Sequence, residues 1–191
     1  SLKLMRTSLL SLALLLISTF VPKLSFADVW TTQYKDIEKQ IVAPTFPEQE
    51  FPITKYGAKL NNSATKNQKA INKAIATCSK KGGGKVIVPA GEWNTGAITL
   101  LSNVNLVLEE GAVLKFAFER DLYPNVLTRW EGLDCWNYQP CIYAYDQKNV
   151  AITGTGTIDG GATEETWWLM SGKKHDGKTL RGPECQSNED G

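Results

Sequence analysis

Residues 82–114 read GGGKVIVPAGEWNTGAITLLSNVNLVLEEGAVL, and this stretch decides the fold. Short β-branched and leucine runs, Lys85–Val88, Ala97–Leu101 and Val104–Leu108, are separated every few residues by glycine, proline or asparagine. Such punctuation predicts short strands at close, regular spacing. Within Val104–Leu108 the even positions are all apolar and alternate with Asn105 and Val107, so one face of this strand is continuously buried.

Further along, Asn149-Val150-Ala151-Ile152 echoes Asn103-Val104-Asn105-Leu106 at an offset of 46 residues. At about 20 to 30 residues per solenoid coil, that offset corresponds to about two coils. The spacing to the next glycine differs by one residue, eight steps to Gly111 against seven to Gly156. Upstream, Phe51 to Ala58 predicts a first short strand ending at glycine. Ala64 to Lys81 predicts a helix, because Ala70, Ile71, Ala74, Ile75 and Cys78 form one apolar stripe. Ser63 or Thr65 suits its start, Lys80 and Lys81 its end, and the glycines 82–84 stop it. Placed before a solenoid, such a helix covers the apolar end of the first coil, with Ile71, Ile75 and Cys78 facing inward. The triple glycine follows a helix and lacks a Gly-Lys-Ser/Thr continuation, so it is not a phosphate loop.

The 191 residues carry a formal charge of +1. Residues 1–27 hold Lys3, Arg6 and Lys23 and no acidic residue, so the remainder has 18 basic against 20 acidic residues. A net charge of that size carries no basic footprint for nucleic acid. Residues 1–27 read as a secretory signal: Lys3 and Arg6, an apolar run from Leu9 to Val21, then Ser25-Phe26-Ala27 as the cleavage site. The apolar core is shorter than the roughly 20 residues needed to span a bilayer, so no stable membrane anchoring is expected after cleavage. The expected location is secreted or periplasmic, with residues 28–50 as a lead-in and residues 51–191 as the folded part.

Export makes the four cysteines worth weighing. They allow three full pairings, among which spacing does not choose. Cys135 and Cys141 are a candidate disulfide, contributing about 2 kcal/mol by loop-entropy arithmetic. Cys78 reads instead as a small buried residue on the helix. No Cys-x-x-Cys or His-x-x-x-His spacing exists, so no metal site and no cofactor is expected.

Lys115 to Gln147 breaks the strand rhythm and interleaves aromatics with charge. Sugar C–H faces stack on tryptophan and tyrosine, and arginine pairs geometrically with carboxylates. Arg129, Trp130, Trp136 and Tyr138 are the candidate substrate contacts. Phe116, Phe118, Tyr143 and Tyr145 are expected to pack the loop. His175, the chain's one histidine, reads as a solvated loop residue, and Asp159, before two glycines, as a turn residue. Asn61-Asn62-Ser63 matches a glycosylation acceptor.

Several motifs together carry a resemblance: residues 53–58 (ITKYGA), 72–75 (NKAI), 82–91 (GGGKVIVPAG), 93–96 (WNTG), 101–104 (LSNV), 110–112 (EGA), 149–160 (NVAITGTGTIDG) and Trp167-Trp168. In this order and spacing, from about Phe51 to Lys174, they resemble the N-terminal part of the polygalacturonases, glycoside hydrolase family 28. Arg129-Trp130-Glu131-Gly132 and Tyr143-Ala144-Tyr145 look most like bacterial, exo-acting members. The resemblance implies an all-β fold, a right-handed parallel β-helix of the pectin-lyase-like kind with an amphipathic capping helix. It implies hydrolysis of α-1,4-galacturonosyl links in pectin with inversion, run by a carboxylic acid and carboxylates on adjacent coils. The family's Asn-Thr-Asp, Asp-Asp, Gly-His-Gly and Arg-x-Lys motifs do not occur in this sequence. No catalytic residue is therefore assigned, and the C-terminal coils are expected to be missing.

The expected partner is a pectic polysaccharide or oligogalacturonate, and the expected full-length state a monomer. The chain by itself is expected to be inactive. A non-catalytic β-helix that binds acidic polysaccharide, or another pectin-active enzyme such as a rhamnogalacturonan hydrolase or a lyase, is the alternative.

Overall fold

A computed structural model describes Trp30, residues 33–170 and residues 186–187. The leader expected over residues 1–27 and the loop of His175 lie outside the described residues. The chain divides into two compact units, residues 1–43 and residues 44–191. In the first, Tyr34–Gln40 forms a helix, α1, with no buried residue and an exposed Lys39–Asp36 pair at 3.1 Å. The lead-in expected over residues 28–50 is thus divided, and its last residue already opens the first strand of the second unit.

The second unit is built from short strands and one long helix. Its elements are β1 (Glu50–Pro52), α2 (Ala64–Lys80), β2 (Gly84–Val88), β3 (Gly91–Thr95), β4 (Ile98–Thr99), β5 (Val104–Leu108), β6 (Ala112–Phe116), β7 (Asn125–Trp130), β8 (Leu133–Tyr138), β9 (Ile142–Tyr143), β10 (Ala151–Gly154) and β11 (Thr157–Asp159). One pass of the chain makes β2, β3 and β4, the next makes β5, β6 and β9, and a third begins with β10 and β11. Successive passes pair in parallel: β1, β2, β5 and β10 form one sheet, β3, β6 and β11 a second, and β4 with β9 a third.

Register turns this path into columns of like side chains. Phe51, Val86, Leu106 and Ile152 align across the first sheet, and Trp93, Leu114 and Ile158 across the second. Val86, Leu106 and Leu114 are fully buried, and together with Val88, Val104 and Phe116 they form the core between the sheets. Burying each such side chain contributes about 1.5 to 3 kcal/mol relative to exposure. On the last pass Ile152 and Ile158 stay 42% and 45% exposed, because nothing among the described residues stacks beyond them.

The echo at Asn149 marks one pass, not two. Asn105 pairs directly with Ala151 and Leu106 with Ile152, whereas β2 and β5 pair at an offset of only 20 residues. The extra length is a hairpin, β7 and β8, that grows out between β6 and β9. The unequal glycine spacing is likewise structural, since the turn from β10 to β11 is shorter than that from β5 to β6.

Phe51 to Ala58 is a strand only as far as Pro52; Ile53–Tyr56 then forms a 3-10 turn closed by Gly57 at φ 103°. The helix starts where expected and ends one residue earlier, at Lys80 with Lys81 as its C-cap, and it buries the expected stripe, Ala70, Ile71, Ala74, Ile75 and Cys78. Ser63 sits at its N-cap but bonds through its carbonyl, to the N–H groups of Lys66 (3.0 Å) and Asn67 (3.2 Å), rather than through its hydroxyl. Burial pushes the Cys78 thiol up to about 11, which suits an inert packing residue.

A second row on α2 is polar. Asn67 donates to the carbonyl of Asn94 at 3.1 Å, Gln68 to those of Ala97 (3.0 Å) and Leu122 (2.7 Å), and Asn72 to that of Ala97 at 3.1 Å. The Thr99 N–H in turn donates to Asn72 Oδ1 at 2.9 Å. These amides supply partners to backbone groups on and beside β3 and β4, the outer strands of their sheets.

Candidate functional site

The insertion between β6 and β9 is anchored before it projects. Leu122 and Tyr123 are buried at its root, and the Tyr123 hydroxyl donates to the Ala117 carbonyl at 2.7 Å. On the returning strand Gln139 donates through its backbone to Pro124 O (2.8 Å) and through Nε2 to Thr99 Oγ1 (3.0 Å), tying the root to the first pass. Beyond this root β7 and β8 pair antiparallel from Asn125–Tyr138 to Trp130–Leu133. Glu131 and Gly132 close the turn with φ 48° and 91°, the two positive values of a two-residue I′ connection.

Strand alternation then sorts the four predicted contacts. Leu127 faces Trp136 and Arg129 faces Asp134 on one side of the hairpin. Trp130 falls on the other side with Leu133, both at the exposed tip. Arg129 is occupied locally, its Nε donating to Gly132 O at 3.2 Å and lying 4.0 Å from Asp134 Oδ1. Tyr138 does not join it; at the far end of β8 it packs against the core. The four residues therefore do not make one site.

Cys135 is buried on β8, and Cys141 is a half-buried free thiol beside the Tyr123 hydroxyl. The expected Cys135–Cys141 bond is not present among the described residues; Cys141 instead contacts the Tyr123 hydroxyl. Phe116 is buried and Phe118 packs edge-on against Trp167, as expected of loop-packing residues. Tyr143 and Tyr145 instead stack on each other, 5° from parallel at 6.5 Å, with Tyr145 exposed.

A cavity of about 360 Å³ opens where the hairpin root meets the third pass, lined by Tyr123, Tyr138, Gln139, Pro140, Cys141, Gly160, Ala162 and Trp167. Trp167 stands edge-on to Phe118 (4.8 Å) and Tyr123 (5.0 Å), and its buried Nε1–H has no acceptor among the described residues. An orphan donor of this kind costs about 1 to 3 kcal/mol. Burial raises the Cys141 thiol, partly offset by a hydrogen bond with its own backbone and then by its contact with Tyr123; burial and then Cys141 raise the Tyr123 phenol. Both groups stay neutral at neutral pH. The lining is thus aromatic and uncharged with a few convergent polar atoms, a wall for one face of a small ring. No carboxylate is among its lining residues.

Trp167 is the cavity-lining residue that the loop reading missed. It lies outside the insertion, and only the return of the third pass beneath the hairpin brings it to Tyr138. Asp159, near the cavity, accepts the Gly161 N–H at 2.8 Å, the turn role its glycine context implies. Among the described residues no cluster of histidine, cysteine and carboxylate side chains could hold a metal.

No family model matches the chain. An exo-poly-alpha-D-galacturonosidase from Dickeya chrysanthemi is 34% identical to it over 138 residues, 67% of this chain. The crystal structure of a hyperthermoactive exopolygalacturonase from Thermotoga maritima superposes with a TM-score of 0.66 and 39% identity over 73% of this chain. The matched part of the chain is polygalacturonase-like. A family 28 exopolygalacturonase from Yersinia enterocolitica is also similar, at 32% identity and a TM-score of 0.51 over 60% of the chain. The chain spans 22% of the length of the Dickeya relative and 32% and 21% of the two solved structures. The likeness read from the motifs therefore holds in sequence and in fold, for a polygalacturonase-like region much shorter than those relatives.

Proposed function

We propose that this chain is the part of a secreted pectin-degrading glycoside hydrolase that starts the scaffold and grips the sugar, acting on α-1,4-galacturonosyl links with inversion. What carries the reading is the likeness to exopolygalacturonases, 39% identical over 73% of the chain. The scaffold is a right-handed parallel β-helix in which α2 caps the first pass and the columns through Ile152 and Ile158 continue onto further passes. Those passes bring the acid and base carboxylates, and the full-length protein is a monomer. The Tyr123–Tyr138–Trp167 cavity takes a galacturonosyl ring, with its apolar face on the aromatics and an oxygen accepting from Trp167 Nε1.

Two measurements on the 191-residue chain test this. Digalacturonate should quench tryptophan fluorescence saturably, and Trp167→Ala should abolish the quenching; a flat titration would remove the cavity from the proposal. Incubation with polygalacturonate should release no reducing sugar, and release above the blank would refute the placement of catalysis on further passes.

A further inference from the structure

The net charge of +1 hides a segregation. Residues 51–91 contain eight lysines and no acidic residue, while the other 150 residues carry 13 basic and 20 acidic side chains. Helix α2 and the turn before it expose much of this charge. Lys66, Lys69 and Lys73 follow i, i+3 and i+7, one exposed row rising about 10 Å along the helix axis. With Lys59, Tyr56 and Asn62 they line a groove of about 450 Å³. None of the four groove lysines pairs with a carboxylate among the described residues; the segment's Lys85 does, with Glu48 at 2.6 Å.

Like charges at helical spacing repel, and Lys66 lies in a first turn that contains no acidic residue, where the helix dipole disfavours a cation. Folding gains nothing from this arrangement. The opposite face of α2 is committed to the core and to the amide bonds of Asn67, Gln68 and Asn72, so the lysines are free of structural duty. A linear row of cations in a shallow groove is complementary to a linear polymer with a regularly repeated negative charge.

We propose that the Lys59–Lys66–Lys69–Lys73 groove is a second binding site, separate in its lining from the aromatic cavity, that holds a run of carboxylates on a polyuronate chain. The choice of polyuronate over other polyanions rests on the proposed function. The groove tethers the polymer electrostatically, and the cavity holds a single ring.

The test compares the full chain with Lys66→Gln/Lys69→Gln/Lys73→Gln and with the corresponding triple arginine variant, using de-esterified polygalacturonate and digalacturonate at two salt concentrations. Glutamine keeps helix propensity, and circular dichroism checks the fold. Loss of three exposed ion pairs should weaken polymer binding about tenfold at low salt and flatten its salt dependence, while arginine restores both. Digalacturonate quenching of Trp167 should not change. Polymer affinity unaltered in the glutamine variant would overturn the groove and leave the cavity standing; lysine-dependent polymer binding without digalacturonate quenching would do the reverse. Lysine-dependent binding to anionic vesicles or duplex DNA, with none to polygalacturonate, would also overturn the assignment.

Discussion

Asn72 makes two bonds that a neighbouring strand would otherwise make, donating to Ala97 O and accepting from Thr99 N. Asn72→Ala should therefore cost about 1 to 3 kcal/mol, because the Thr99 N–H loses its acceptor, while the Ala97 carbonyl keeps its bond from Gln68. Thermal unfolding of the variant checks this, and Lys73→Ala on the exposed side of the same turn should stay within about 0.5 kcal/mol. Trp167→Phe keeps most of the edge-on packing and removes an indole N–H that has no acceptor among the described residues. Relief of the orphan donor offsets the packing lost with the smaller ring, so the variant should leave the unfolding midpoint nearly unchanged while weakening digalacturonate binding several-fold. An equal loss in both would mean that the residue only packs. Cys78, with its thiol pushed up to about 11 by burial, should resist iodoacetamide at pH 8 in the folded chain and react after unfolding. Little of this is legible in sequence. The stripe of Ile71, Ile75 and Cys78 stands out, whereas Asn67 and Asn72 look like any polar residue until the backbone they serve is located.

The β7–β8 hairpin is the element on which sequence and structure diverge most. Its turn is Glu131-Gly132, and glutamate is not a residue that advertises a left-handed conformation, so the stretch reads as a loop. Gly132, at φ 91°, carries the turn. Gly132→Val should cost about 1 to 2 kcal/mol locally, loosening Trp130 and Trp136 while the parallel sheets persist. Faster amide exchange confined to residues 125–138 is the expected result, and exchange spread into β5 and β6 would show that the hairpin is not independent. The same hairpin explains why the predicted contacts separated: Arg129 and Trp130 are adjacent in sequence, and alternation sends adjacent side chains to opposite faces. Helix α2 is the reverse case. Its bounds follow from Ser63 and the glycines at 82–84, because caps and breakers act locally.

Across the whole molecule, the third pass presents Ile152 and Ile158, which align with the buried Leu106 and Leu114. Exposed core positions beside edges of β10 and β11 that pair with no strand among the described residues invite self-association. The 191-residue chain should grow in apparent mass with concentration in light scattering, and Ile152→Lys with Ile158→Lys should suppress that growth. Concentration-independent scattering by the parent chain would show that the face is covered. By itself the sequence determined the strand rhythm, the helix and its buried stripe, and the likeness to polygalacturonases, since spacing, caps and motifs are properties of neighbouring residues. The tertiary structure alone decided that the 46-residue echo is a single pass carrying a hairpin, that Tyr138 meets Trp167 while Arg129 does not, and that Cys141 turns to Tyr123 rather than Cys135. Those outcomes depend on parallel pairing between passes and on where an insertion returns to the scaffold, contacts between residues far apart in the chain that no local pattern encodes.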